Sequence, residues 1–307
     1  MSNRLVIVVT GAATGFGALT ARALSKRGHT VFAGLKSTAP ASPGVAEQLA
    51  ALDAFRAEHK VDLCAVEQDM TSTASVETSV RDILSRTGGR LDAVVHNCGH
   101  LVVGPLEAFT PEDLAAQYDI NTVSTQRLNR AVLPVMRKQR SGLLVWVGSS
   151  STHGAVPPFL APYFAAKAGL DALASAYALE LSQFGIESTI MVPGAFSKGT
   201  EHFRNAGGPS DAEVLAAYRG ASSPYNGVEE QSMKGFAALE PPDADVRVVA
   251  DKIADIVDMP LGTRPRRVHY DPAEDGSDLV SAVRERVTKE ILRQAGIGKL
   301  LEVQKGA

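Results

Sequence analysis

Between two apolar runs, the stretch VVTGAATGFGALTARALSKRGHTVFAG (residues 8–34) places three glycines, Gly11, Gly15 and Gly17, within seven residues. The β-branched run Leu5 to Thr10 predicts a strand buried on both faces. Gly15 to Arg27 predicts a helix with Phe16, Leu19, Ala23 and Leu24 on one side. A glycine loop where a strand turns into a helix has two explanations. One is an ordinary turn. The other is a loop stripped of side chains, so that an anion can reach the unpaired N–H groups and partial positive charge of the helix N-terminus. The spacing is T-G-x-x-x-G-x-G, Thr10 to Gly17, and no G-K-[ST] follows, which excludes a P-loop. Both explanations stand at this point.

The rest of the chain repeats the strand–helix rhythm. Strands are predicted at Thr30–Ala33, Val61–Glu67, Leu91–His96, Gly142–Val147, Ile186–Val192 and Arg267–Tyr270. Helices are predicted at Val45–Lys60, Thr71–Thr87, Pro111–Gln139, Pro162–Phe184 and Val246–Val257, with an amphipathic helix and a polar tail at the end. Such alternation implies a doubly wound α/β fold, a parallel sheet with helices on both faces. Residues 195–245 break the rhythm and carry no clean period. No linker divides the chain, so residues 1–307 are expected to form one domain with 195–245 inserted and 271–307 as a C-terminal extension.

Charge and composition exclude several classes. A net charge of −3 gives no footprint for nucleic acid or anionic membrane. No apolar run approaches the ~20 residues of a membrane span. The N-terminus MSNRLVIVVTG has no signal-peptide architecture. Two cysteines, Cys64 and Cys98, support neither a disulfide scaffold nor a thiolate metal site, and no spacing among the seven histidines suggests a metal. A cytoplasmic location is expected.

A second motif decides between the two readings of the glycine loop. In GSSSTHGAVPPFLAPYFAAKAGL (residues 148–170), Tyr163 and Lys167 lie four apart in a predicted helix and share a face. A phenol is a poor base at neutral pH, and a nearby ammonium favours its ionised form. The pair is therefore expected to act as a general acid/base, with Lys167 lowering the Tyr163 pKa. Serines 149–151 end the fifth strand, at the carboxyl edge where open α/β sheets bind ligands. His153, His100 and Cys98 are expected to line the cleft as loop residues.

With these motifs the chain, from residue 4 to about 270, resembles the short-chain dehydrogenase/reductase family and its Rossmann fold. Thr10, Gly11, Gly15 and Gly17 match the cofactor loop, with Phe16 where a small aliphatic residue is usual and Thr14 beside it. Asp69, followed by Met70, matches the acidic residue that orients adenine. HNCG (96–99) stands where N-N-A-G is usual: Asn97 and Gly99 fit, His96 and Cys98 depart. Asn121 in DINTVSTQ matches the tetrad asparagine. Ser150, thirteen residues before Tyr163, matches the tetrad serine, with Ser149 and Ser151 as near alternatives. VPGAF (192–196) matches the segment beside the nicotinamide, through Pro193, Gly194 and Phe196.

The resemblance implies a hydride transfer between a nicotinamide cofactor and a carbonyl or secondary alcohol. Tyr163 would exchange the proton, Lys167 would depress its pKa and bind the nicotinamide ribose, Ser150 would polarise the carbonyl, and Asn121 would hold a relay water. A non-catalytic dinucleotide sensor with the same fold is the alternative. In TVFAGLKS the usual acidic position of the second strand is Gly34, with Lys36 just beyond. NADP(H) is therefore expected over NAD(H), with Lys36 near the 2′-phosphate. Residues 195–245 are placed as a substrate lid suited to a bulky, partly hydrophobic molecule. The family further implies a homodimer or homotetramer.

Overall fold

The computed structural model describes residues 4–304. All seven expected strands form: β1 (Val6–Val9), β2 (Thr30–Leu35), β3 (Leu63–Glu67), β4 (Ala93–His96), β5 (Gly142–Val147), β6 (Ile186–Pro193) and β7 (Arg267–Tyr270). They pair in parallel in the order β3-β2-β1-β4-β5-β6-β7. The order reverses between β1 and β4. Connections on either side of that line leave toward opposite faces and open a crevice at the carboxyl ends of the strands.

Alternation along each strand feeds two cores at once. On one face Val8, Phe32, Val94, Leu144 and Trp146 pack under α3 (Thr73–Arg86), α5 (Ser124–Gln139) and α6 (Ala161–Glu180). On the other, Ile7, Val9, Val31, Val95 and Val145 pack under α1 (Gly15–Lys26) and α9 (Arg247–Asp258), with α2 (Val45–His59) alongside. This double burial is why the strands read as unbroken apolar runs.

Two expectations need correction. The single helix expected at 111–139 is split into α4 (Pro111–Tyr118) and α5 by a π-helical segment, Asp119–Val123. Its cause is local: the Asn121 side-chain amide donates to the Gln117 carbonyl at 3.1 Å, the acceptor that the regular helix would use. The aperiodic stretch 195–245 contains two helices, α7 (Ala212–Arg219) and α8 (Val228–Ala237), neither with a buried residue. After β7, α10 (Ser277–Gln294) turns Ser277 and Ser281 inward and exposes Leu279, Val283, Val287 and Ile291. No helix among the described residues is long and apolar enough to cross a membrane.

Candidate active site

The glycine loop is built by its backbone. Gly11 and Gly15 adopt φ of +61° and +55°, where a side chain would be strained. Gly17 is required by space instead: a Cβ there would lie 2.3 Å from the Gly11 carbonyl oxygen and 2.5 Å from Asn97 Nδ2. That close approach is held by Thr10 and Asn97. Thr10 Oγ1 accepts the N–H groups of Asn97 and Cys98 at 3.0 and 2.9 Å, and Asn97 Nδ2 donates to the Thr10 and Gly11 carbonyls. Thr14 begins α1 without a side-chain cap, and no acidic residue lies in the first turn. The helix N-terminus is thus left with free donors and no competing charge, a fit for a pyrophosphate. Phe16 packs edge-on against Phe196 at 5.6 Å, joining the loop to the Pro193–Gly194–Phe196 segment beyond β6.

The end of β2 bears on the nucleotide. A Cβ at Gly34 would lie 2.6 Å from Gln68 Oε1 and 3.1 Å from the Val9 carbonyl, so any side chain there would require Gln68 to move. Lys36 is exposed just past the strand. Asp69 accepts the Thr71 N–H and hydroxyl at 2.9 and 2.7 Å. Burial pushes its carboxyl up, but the Thr71 bonds, Lys36 and Arg127 outweigh this and hold it below its ordinary range. Met70 is buried beside it. Lys36, Asp69 and Met70 lie outside the lining of the large cavity described next.

That cavity, of about 670 Å³, runs from Gly11 and Gly15 past Tyr163 and Lys167 to α8. Tyr163 is 9% exposed and Lys167 4%, both on α6. Lys167 Nζ donates to the Val147 carbonyl at 2.9 Å and sits 5.8 Å from the centre of the Tyr163 ring. Burial pulls the ammonium down to about 8. Burial pushes the Tyr163 phenol well above its ordinary value, against the lowering expected from Lys167, and the Ser149 hydroxyl pulls it back. The ammonium itself is turned toward the end of β5.

The serines divide differently from the thirteen-residue count. Ser149 faces the phenol and also accepts the Ser151 N–H at 3.2 Å. Ser150 is buried at the start of a 3-10 turn (Ser150–Thr152), lines the same cavity and lowers the Asp275 carboxyl. Asn121 is likewise committed. Its Nδ2 donates to the His100 and Gln117 carbonyls and to Gln117 Oε1, while its Oδ1 accepts the His100 N–H at 3.1 Å. A Cβ at Gly99 would meet Asn121 Oδ1 at 2.7 Å and Lys167 Nζ at 3.6 Å. Asn121 therefore fixes the 99–100 backbone beside Lys167.

Three cavity features were not singled out from the sequence. His202, a loop residue of the irregular segment, lies 5.4 Å from the Tyr163 ring; burial, with Lys167 and His100, pulls it down to about 4. Asp271 and Asp275 line the same space, Asp271 accepting the Asp275 N–H at 2.8 Å. Met233 and Phe236 of α8 close the far wall. Only the break in periodicity marked this region. Of the residues expected to line the cleft, His100 and Cys98 do so; His153 points to α10 instead, its Nδ1 2.8 Å from Ser281 Oγ.

Fold, glycine loop and Tyr–Lys helix together define a dinucleotide-binding α/β protein. The chain matches the short chain dehydrogenase family over residues 5–208 and belongs to it. It is 32% identical over 200 residues to a 3-ketodihydrosphingosine reductase of Bacteroides thetaiotaomicron, covering 65% of this chain and 67% of that one. It is also 32% identical over 195 residues to Retinol dehydrogenase 16 of Mus musculus, covering 63% of this chain and 57% of that one. The chain thus matches little more than half of the second relative. A crystal structure of a short-chain dehydrogenase from Streptomyces avermitilis superposes with a TM-score of 0.72 at 25% identity, covering 97% of this chain and 98% of that one.

Proposed function

We propose that the chain is an oxidoreductase that uses NADP(H), with NAD(H) as the poorer cofactor, to interconvert a bulky, partly hydrophobic carbonyl compound and its secondary alcohol. One observation carries this reading: Tyr163, Lys167 and Ser149 meet in the cavity that continues into the glycine loop. A bound nicotinamide dinucleotide would supply or receive the hydride. Thr10, Gly11, Thr14, Gly15, Phe16 and Gly17 would hold its pyrophosphate end, Lys36, Asp69 and Met70 its adenosine end, and Asn97, Gly99, Pro193, Gly194 and Phe196 the nicotinamide end.

Tyr163 gives its Oη proton to the substrate oxygen in reduction and takes it back in oxidation. Burial keeps that phenol protonated, which suits the acid role and hence reduction. Ser149 donates to the same oxygen and Lys167 supplies positive charge below about pH 8. Residues 195–245 act as a lid. Its apolar wall, Phe203, Met233, Phe236 and Leu239, favours a lipid-like substrate. The names of the two relatives, for a ketosphingoid and a retinoid, support the same class. We place the protein in the cytoplasm as a single domain that assembles as a homodimer or homotetramer through the Ala-rich α6, with no metal, nucleic acid or membrane partner.

The test is Tyr163→Phe with NADPH and a panel of ketosteroids, retinal, quinones and aryl ketones. Turnover is expected to fall about 10²- to 10⁴-fold while NADPH affinity stays near wild type. Wild-type turnover in that variant would end the mechanism. Tight NADPH binding by the wild type with no turnover of any carbonyl would instead mark a sensor.

A further inference from the structure

We propose that Arg284, on the C-terminal helix, is a positioning residue for the serine loop: with Asp171 it fixes His153, and through His153 the turn that brings Ser149 to Tyr163. This rests on the catalytic reading of Tyr163 and Ser149.

Tyr163, Lys167 and Asp171 follow one another at four-residue spacing, so α6 presents all three on one stripe. Asp171 is 1% exposed. Arg267 of β7 grips both its carboxylate oxygens, and Arg284 Nη1 donates to its Oδ1 at 3.1 Å. The same Nη1 carries a second proton, and His153 Nε2 lies 2.5 Å away to receive it. His153 Nδ1 stands 2.8 Å from Ser281 Oγ. These partners require a neutral imidazole with its proton on Nδ1. His153 is 7% exposed by its side chain, and burial, together with Arg267, Arg284 and His269, outweighs Asp171 and keeps it uncharged. Glu285, 3.6 Å from Arg267 Nε, completes a group of two acids and two bases that is neutral while His153 is neutral.

His153 closes the catalytic turn. Its N–H and that of Gly154 donate to the Ser150 carbonyl at 3.1 and 2.7 Å, and Thr152 Oγ1 donates to the Ser149 carbonyl at 3.0 Å. Asp275 packs against the other end of the turn, its Oδ2 2.3 Å from where a Gly154 Cβ would stand, and Ser149 faces the phenol. Both ends of the turn are therefore held by residues 275–284, outside the 5–208 stretch that the family match covers. Hydrogen bonds on a fixed scaffold are what hold a reacting hydroxyl within the tolerance that catalysis demands.

The experiment compares Arg284→Met, Arg284→Lys and His153→Phe with wild type in the full chain, using NADPH and the best ketone of the panel above. Arg284 is half-exposed, so its loss is expected to leave the fold intact. In Arg284→Met, kcat is expected to fall roughly 10- to 100-fold with NADPH affinity unchanged. His153, freed from the guanidinium but still facing Asp171, then takes up its proton at a higher pH than in wild type, although burial, Arg267 and His269 still hold it down, and the acidic limb of kcat moves to higher pH. Arg284→Lys, or added guanidinium with Arg284→Met, is expected to restore part of the lost rate. His153→Phe is expected to lose a similar factor without the acidic limb, and it decides the matter if Arg284→Met does not fold. Wild-type kcat and pH profile in Arg284→Met or in His153→Phe, with only a lower Tm, would overturn the proposal. Tyr163→Phe run in parallel separates the two failures: an active Tyr163→Phe sinks the catalytic reading, whereas an inactive one beside a fully active Arg284→Met sinks this proposal alone.

Discussion

The floor of the cavity and its roof are held in place by opposite means. On the floor, the glycine loop is set by backbone: left-handed glycines, a carbonyl 2.3 Å from where a Gly17 Cβ would stand, and Thr10 and Asn97 bonded to main-chain groups. The roof, residues 195–245, is anchored at its start by buried Phe196 and beyond that is held mainly by exposed side chains, a few main-chain bonds and one short bridge. Tyr218 bonds Glu107, Arg219 bonds Glu229, Ser210 bonds Asp113, and Val102 pairs with Gly207. Exposed pairs of this kind contribute little each. The floor is thus rigid beneath a roof that opens at low cost, as the proposed bulky substrate would require.

Two histidines make the sharpest test. His96 lies in the core beside Trp146, and His202 lies in the roof; burial holds both down at about 4. A histidine whose folded pKa is depressed contributes no penalty above its unfolded value and costs stability as pH falls from 6.5 toward 4, because the open or unfolded form binds the proton that the folded form refuses. For His96 that cost reaches up to about 3 kcal/mol, and only global unfolding relieves it. For His202, opening the roof suffices. On acidification, proteolysis within 195–245 is therefore expected before Trp146 fluorescence reports unfolding, and His202→Gln is expected to delay the first event alone. Coincident transitions would show that roof and floor are one unit.

The next effect falls on the floor. Gly17→Ala forces either Gly11 or Asn97 to move, and NADPH affinity is expected to drop about 10- to 100-fold with some loss of Tm. Affinity near wild type would mean that the loop is adaptable. The matching change in the roof is Met233→Ala, which removes cavity wall without touching the glycines. A rise of about 10-fold in KM for an apolar ketone is expected, with NADPH binding unaltered. A parallel loss of NADPH affinity would erase the distinction between the two regions.

The same division governs what the sequence reveals. β1, the glycine loop and α1 are legible because a doubly buried strand must be apolar throughout and a close backbone approach tolerates only glycine. Tyr163 and Lys167 are legible because four-residue spacing on a helix fixes their common face. The π segment is not, because its cause is one side-chain amide of Asn121, which leaves no trace in periodicity. Spacing points to Ser150, whereas it is the Ser149 hydroxyl that acts on the phenol, because the 3-10 turn after β5, which no residue count shows, sets the direction of each serine. The helices α7 and α8 bury no residue and so lack the apolar stripe that announces a helix. The Asp171 cluster draws on α6, the serine loop, β7 and α10, and only the fold brings them together.

Lys36 tests the floor where its backbone control ends. The residue is exposed, so the proposed contact with a 2′-phosphate would be screened by water and salt. Lys36→Asp is expected to lower the NADPH-to-NADH ratio of kcat/KM by roughly 5-fold, the scale of an exposed charge pair. The difference between the variant and wild type is expected to shrink as salt is raised toward 1 M, where the screening length is about 3 Å. An unchanged ratio at low salt would remove Lys36 from the nucleotide site. Gly34 carries no side chain, so discrimination between the two cofactors would then fall to other groups near Asp69, such as Arg127, whose charge lowers that carboxyl.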